Sequence, residues 1–187
     1  MILHQFLTGA AMAAMLGVAA CSSQAGDNNA APETGAAKDA AGDKTIAAGL
    51  GDASKFAAAA KQAGLDATLA GPGPYTVLVP TDAAFEKMPA GALDTLMKPE
   101  ARSDLTAVLT YHILPGTILA ADIGKAIDAG NGKTELPTMA GGKLTATREG
   151  DTIVIADGAG TKAKLVGTEE QKSNGVLYRI DSVLMPS

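Results

Sequence analysis

Apolar positions along this chain change their period near its middle, and the change predicts the order of its elements. In residues 52–64, DASKFAAAAKQAG, Phe56, Ala59, Ala60 and Ala63 fall on one helical face, with Gly64 where a left-handed C-cap belongs. Leu65 and Leu69 fill a further turn before Gly71-Pro72-Gly73-Pro74, a rigid turn that delivers the chain to a strand at Tyr75. That turn is no phosphate cradle, because its two prolines lack the amide donors such a loop needs. TVLVPTDAAF, residues 76–85, is the pivot of the chain. Its first half alternates as a half-buried strand does, Pro80 ends the ladder, and Thr81 is a candidate N-cap for a helix that starts at Ala83, Ala84 and Phe85. Leu93, Leu96 and Met97 mark another short amphipathic helix. Pro99 opens the longest one, about 100–112, where Leu105, Val108, Leu109 and His112 share a stripe and Tyr111 lies off its centre. Ile113-Leu114-Pro115-Gly116 closes that helix; Thr117 to Leu119 is expected to form a short strand, and Ala120–Ile127 a helical turn.

After that point the period is two. KLTATR at 143–148 and DTIVIA at 151–156 flank Glu149-Gly150 as a β-hairpin, and 162–167 is a third strand. Asn174-Gly175 turns into VLYRIDSVLM, with Val176, Tyr178, Ile180 and Leu184 on one face and Leu177, Val183 and Met185 on the other. A strand apolar on both faces is central and covered on both sides. Helices first, strands after, and no βαβ alternation argue for an α+β fold.

The N-terminus follows another logic. Residues 1–20 hold no Asp, Glu, Lys or Arg, and the apolar run from Leu7 to Ala20 is too short for a permanent span and matches a signal-peptide core. It ends in Val18-Ala19-Ala20-Cys21, small residues before the only cysteine, which resembles the lipobox of bacterial lipoproteins. The resemblance implies cleavage before Cys21 and a diacylglyceryl group on its sulfur. Ser22 in place of Asp resembles the outer-membrane sorting signal of Gram-negative lipoproteins. The alternative is a plain secretory signal that leaves Cys21 free. Residues 21–44 then form a tether of Ala, Gly, Ser, Asn and charge that buries too little to offset its ordering entropy; such a coil reaches about 25 Å. The folded domain is 45–187, and with Cys21 lipidated it must rely on its core instead of a disulfide.

The chain has 187 residues, 47% of them hydrophobic, enough for one ordinary core. Of its net charge of −5, the tether takes −2 from four acidic and two basic residues, and 45–187 the remaining −3. A mildly acidic domain with scattered cations is a poor polyanion binder, so nucleic acid is not an expected partner. Enzyme chemistries lack their parts. G-x-S-x-G is absent, one Cys and one His after residue 20 cannot make a structural zinc site, and the 20 acidic residues form no D-x-[DN]-x-[DN]-G calcium loop. Without Trp there is no obvious sugar-stacking platform for a paired-carboxylate glycosidase. Neither a metal nor a cofactor is expected.

Three separated segments in order, GPGPYTVLVPTDAAFEKMP at 71–89, LTYHILPGTILAADI at 109–123 and NGVLYRIDSVLMP at 174–186, resemble the fasciclin domain family. The resemblance covers essentially all of 45–187. It implies a single wedge-shaped α+β domain, a twisted antiparallel β-sandwich-like core with a flanking helical layer. It also implies an exported adhesion or matrix-interaction role without enzymatic activity, the partner being a protein or polysaccharide of the matrix or of neighbouring cells, as in a biofilm. Family members often carry Phe where Leu78 stands, Asn at Asp82 and His at Tyr178. Integrin-binding animal members carry an Asp-Ile pair where this chain has Glu169-Glu170, and Arg-Gly-Asp is absent, so integrin recognition does not carry over.

Signature and candidate binding positions on this reading are Thr81, Asp82, Tyr111, His112, Asn174 and Gly175, with Cys21 as the lipidation site. His112, paired with Tyr111 as in the family's Tyr-His signature, is either part of an adhesion surface or a buried ring bonded to a backbone carbonyl or to Thr81 or Asp82; the structural role is favoured. Asp82 is a first-turn carboxylate or a loop contact, and capping is favoured. Asp181 is expected to accept backbone, Tyr or Arg hydrogen bonds. Two functional readings stand: a membrane-tethered adhesion domain facing the periplasm or the cell surface, and a periplasmic lipoprotein that holds a small apolar or glycan ligand between the helices and the sheet. The oligomeric state is not legible.

Overall fold

A computed structural model describes residues 43–51 and 54–186. The expected signal peptide, Cys21 and residues 22–42 of the tether lie outside the described residues. Helix α1, Ile46–Gly49, was not foreseen; the Thr45 side chain caps it and Ile46 is fully buried. Helix α2, Lys55–Ala63, carries Phe56, Ala59, Ala60 and Ala63 on its buried face and ends at Gly64 with φ 78°, as the pattern predicts. Helix α3, Asp66–Ala70, buries Leu69 and leads through the Gly-Pro turn into strand β1, Tyr75–Pro80. Helices α4, Asp82–Glu86, and α5, Ala92–Leu96, follow.

The long helix divides into a 3-10 turn, Pro99–Ala101, and α6, Arg102–Tyr111, leaving His112 as its C-cap. The expected strand at 117–119 does not form. Strand β2 is Ile113–Pro115, antiparallel to β1 with Val77 opposite Ile113. Beyond it side chains take the bonds a ladder would use: Ile118 N donates to Thr76 Oγ1 at 2.9 Å and Ile118 O accepts from Tyr178 Oη at 2.9 Å. Helix α7, Ala120–Ala129, is as long as α6.

Strand β3, Lys133–Pro137, was missed because KTELP has one buried residue, Leu136, and ends in proline; it pairs only with β4, Lys143–Glu149, and an edge tolerates both. Strands β5, Thr152–Ala156, and β6, Lys162–Lys172, continue the hairpin, and β6 runs five residues past the expected end. Strand β7, Gly175–Ile180, lies between β6 and β1.

The seven strands form one sheet ordered β2-β1-β7-β6-β5-β4-β3, antiparallel except where β1 and β7 run parallel with Tyr75 opposite Gly175. Its two end strands approach each other, and Met139 N donates to Ile113 O at 2.8 Å, so the sheet nearly closes. Residues from β1 and β7 divide between two cores. Val77, Val79 and Leu177 face α2 and α6, whereas Leu78, Val176, Tyr178 and Ile180 face α7 and the far strands. Past β7 the alternation continues, Val183 entering the first core and Leu184 the second. Helices α1 to α6 packed at one core and α7 at the other, around a nearly closed sheet, make the α+β fold that the change of period predicts.

The parallel contact tolerates no side chain at position 175. Gly175 has φ 146°, and a Cβ there would run into the Tyr75 carbonyl, whereas a Cβ on Gly150 in the β4–β5 turn meets open space. Gly175→Ala should therefore lower stability by about 2–4 kcal/mol, through overpacking and backbone strain. Gly150→Ala, with φ 63°, should cost about 1–2 kcal/mol from the left-handed backbone alone. Thermal unfolding of the two variants side by side measures the difference.

Candidate functional site

Helix α6 ends by placing two neighbouring aromatic rings in opposite cores. Tyr111 is 3% exposed, donates its hydroxyl to Lys143 O at 3.1 Å and accepts from Gly158 N at 3.4 Å. His112 is 1% exposed, with its ring edge-on to Phe56 at 6.3 Å between centroids. Its Nδ1 lies 2.7 Å from Val108 O, and a carbonyl only accepts, so Nδ1 carries the proton. Nε2 is therefore the unprotonated nitrogen, and it accepts from Leu184 N at 3.1 Å. The expected backbone carbonyl partner is present; Thr81 and Asp82 are not partners of this ring.

Thr81 Oγ1 accepts from Ala84 N at 3.3 Å, the N-cap of α4. Asp82 sits in the first turn of α4 but caps a different helix, its Oδ1 accepting from Lys55 N, the first residue of α2, at 2.9 Å. Asn174 spends its whole amide on backbone. Oδ1 accepts from Ile46 N at 2.8 Å, and Nδ2 donates to Leu69 O at 2.9 Å and Gly71 O at 2.8 Å. Asp181 accepts from Lys164 N at 2.7 Å and from Lys87 Nζ at 3.3 Å. Partial burial pulls its carboxyl upward, but these bonds outweigh it and hold the group below the usual carboxylate range.

The candidate residues do not converge. Thr81 and Asp82 lie at the β1–α4 junction, Asn174 and Gly175 at the start of β7, and Tyr111 and His112 at the end of α6 facing apart. What all but Gly175 share is that their side chains complete backbone hydrogen bonds. Two further residues do the same and were missed. Asp157 accepts from Thr161 N at 2.7 Å and from Met185 N at 3.0 Å. Glu169 accepts from Ala120 N and from Tyr178 Oη, both at 2.8 Å, so it holds the start of α7. Burial, with the Glu169 carboxylate beside it, pushes the Tyr178 hydroxyl pKa upward. An acidic residue within a strand or just after one was the available signal, read for Asp181 and passed over for Glu169 in β6 and Asp157 after β5.

Between α2, α4, α5, α6 and β1 lies one small cavity of about 10 Å³, lined by apolar side chains that include Phe56, Phe85, Leu109 and Val183, with His112 at its wall. That is about the space of a single water, so it has no room for a glycan or a lipid in this conformation. Among the described residues no cluster of His, Cys, Asp or Glu is arranged to hold a metal ion, and no helix is long and apolar enough to cross a membrane.

Burial lowers the His112 pKa from its ordinary value of 6.5 to about 4, against smaller opposing effects of Val108 O and of Asp157. The unfolded chain takes up this proton first. Stability is therefore whole above pH 6.5 and declines as pH falls through about 4, a loss of about 3 kcal/mol. His112→Ala should cost about 2–4 kcal/mol at pH 7, through the cavity and the unpaired Leu184 N–H, and should remove this part of the pH dependence. Urea unfolding at a series of pH values checks both effects, and an unchanged melting temperature with lost adhesion would instead give the ring a role in binding.

Comparison with known proteins gives this arrangement its relatives. The sequence model of the Fasciclin domain matches residues 51–186. Protein sll1483 of Synechocystis sp. is 35% identical over 141 residues, 75% of this chain and 71% of that protein. Cell surface glycolipoprotein MPB83 of Mycobacterium bovis is 35% identical over 114 residues, 61% of this chain but only 44% of its relative's length. A solved FAS1 domain pair from the insect cell adhesion molecule Fasciclin I shares the fold, with a TM-score of 0.55 at 19% identity over 70% of this chain and 44% of that one. A domain match over most of the chain, a relative aligned over most of both lengths and a shared fold agree: this chain belongs to the fasciclin domain family.

Proposed function

We propose that this chain is a non-enzymatic adhesion domain of the cell envelope, exported and held to a membrane by lipid on Cys21. The observation that carries the reading is the inward commitment of three polar signature residues, Tyr111, His112 and Asn174. His112, the one histidine after residue 20, is 1% exposed with both ring nitrogens engaged, so it has no free nitrogen to offer a substrate as a base. Tyr111 and Asn174 are likewise used up on backbone groups. Recognition is left to the outer surface, where charges of both signs alternate, as in Lys143–Glu135 and Glu149 with Lys162 and Lys164. Such a mixed surface suits a protein or polysaccharide partner of the matrix or of neighbouring cells better than a nucleic acid. A relative named as a cell surface glycolipoprotein supports the envelope location. The Val18-Ala19-Ala20-Cys21 run and Ser22 support an outer-membrane lipoprotein.

Cys21→Ser should shift the chain from the membrane fraction to the soluble envelope fraction, and protease treatment of intact cells should remove the wild-type domain if it faces outward. A strain without this chain should attach to surfaces and form biofilm less well, with recovery on re-expression of wild type. Normal attachment and biofilm in that strain would overturn the adhesive role, and a Cys21→Ser chain still in the membrane would overturn the lipid anchor.

A further inference from the structure

The end of the described chain is held in an unusual way. Strand β7 stops at Ile180, and Asp181 N still donates to Lys164 O at 3.1 Å. From residue 182 to 186 no backbone–backbone hydrogen bond occurs among the described residues. Two backbone amides of this segment are bound, and both go to side chains: Leu184 N to His112 Nε2 at 3.1 Å, and Met185 N to Asp157 Oδ2 at 3.0 Å. Between them the segment inserts Val183 at 7% exposure into the core on the helical side and Leu184 at 0% into the core on the other.

We propose that residues 182–186 are a detachable strap, clasped by the side chains of His112 and Asp157, which acid opens by charging the imidazole and so uncovers both apolar cores. The chemistry follows from the bond directions. Nδ1 already donates to Val108 O, so an added proton can go only to Nε2. A protonated Nε2 is a donor facing another donor, Leu184 N–H, and that hydrogen bond becomes a repulsion. The strap has no backbone bond to fall back on, whereas β7 is laddered on both sides by β1 and β6. Release frees the first clasp and leaves Met185 N on Asp157 as the remaining one.

The groups around the ring support this reading. Helix α2 offers it the uncharged Phe56, α6 the Val108 carbonyl, and the strap the Leu184 amide. Asp157, in the β5–β6 turn, is the charged group whose field reaches it, and this favours the proton, while complete burial opposes it more strongly. An opened strap lets water reach the imidazole, returns it toward its ordinary proton affinity and so couples opening to acid. Val183 also walls the small cavity beside His112, so opening joins that cavity to solvent.

Amide-resolved hydrogen exchange on the full chain between pH 7 and pH 4.5 tests this, with rates expressed as protection factors to remove the intrinsic effect of pH. At pH 7 the Leu184 and Met185 amides should be at least about tenfold less protected than Leu177 and Tyr178 in β7, as for a local opening. Their protection should fall about fifty-fold further by pH 4.5. His112→Gln, whose amide oxygen accepts at any pH, should flatten that dependence. Equal protection of strap and β7 at every pH would overturn the strap as a separate unit, and wild type alone decides this should the variant not fold. A pH dependence that survives unchanged in folded His112→Gln would overturn the clasp.

Discussion

The parallel pairing of β1 with β7 is the contact on which the rest of the fold hangs. These strands come from far-separated parts of the sequence and each feeds both cores, so a slip of one residue would exchange the faces of Val77, Leu78, Leu177 and Tyr178 at once. Register is fixed where the pairing begins. Asn174 ties α1, the end of α3 and the Gly-Pro turn together through three bonds, and Gly175 lets the Tyr75 backbone come as close as it does. From that junction the sheet extends to β2 on one side and through β6 to β3 on the other.

A second constraint follows from so short a set of helices. Excluding the 3-10 turn, the described helices run from four to ten residues, so a large share of their terminal amides and carbonyls needs outside partners. Thr45, Ser54, Thr81, Asp82 and Glu169 serve the starts of α1, α2, α4, α2 again and α7. The turns and the last residues draw on Asn174, Asp157 and His112. Each unmade bond of this kind leaves a buried group short by about 1–3 kcal/mol, a large part of a domain's net stability. A family resemblance carried by polar residues can therefore report folding needs, and in this chain Tyr111, His112 and Asn174 bond inward. The adhesive role proposed for the domain then falls to residues on its outside.

Much of this was legible in the sequence because it depends on period. The faces of α2 and β7, the Gly64 C-cap and the Thr81 N-cap all follow from local spacing. What escaped depends on partners far along the chain. KTELP becomes β3 only because β4 offers it an edge, and Ile113–Pro115 becomes a strand because Val77 lies opposite, not because of its own pattern. Thr117–Leu119 has a strand's composition, yet the Thr76 and Tyr178 hydroxyls satisfy Ile118 first. Asp82 shows the limit most clearly: its place in a first turn was readable, but the helix whose amide it accepts begins 27 residues earlier. Asp157 and Glu169 take backbone amides 28 and 49 residues away, Met185 N and Ala120 N, so their acidic type is visible in the sequence and these partners are not.

The central claim is that the family's polar signature holds the backbone together, and Asn174 concentrates it most. The free energy of unfolding of the full chain carrying Asn174→Ala, against wild type in urea, is the most direct measurement. Three backbone groups lose their partner at once, so a loss of about 3–5 kcal/mol is predicted, or failure to fold. A variant that keeps wild-type stability to within about 0.5 kcal/mol would contradict the account and return Asn174 to the list of contact residues.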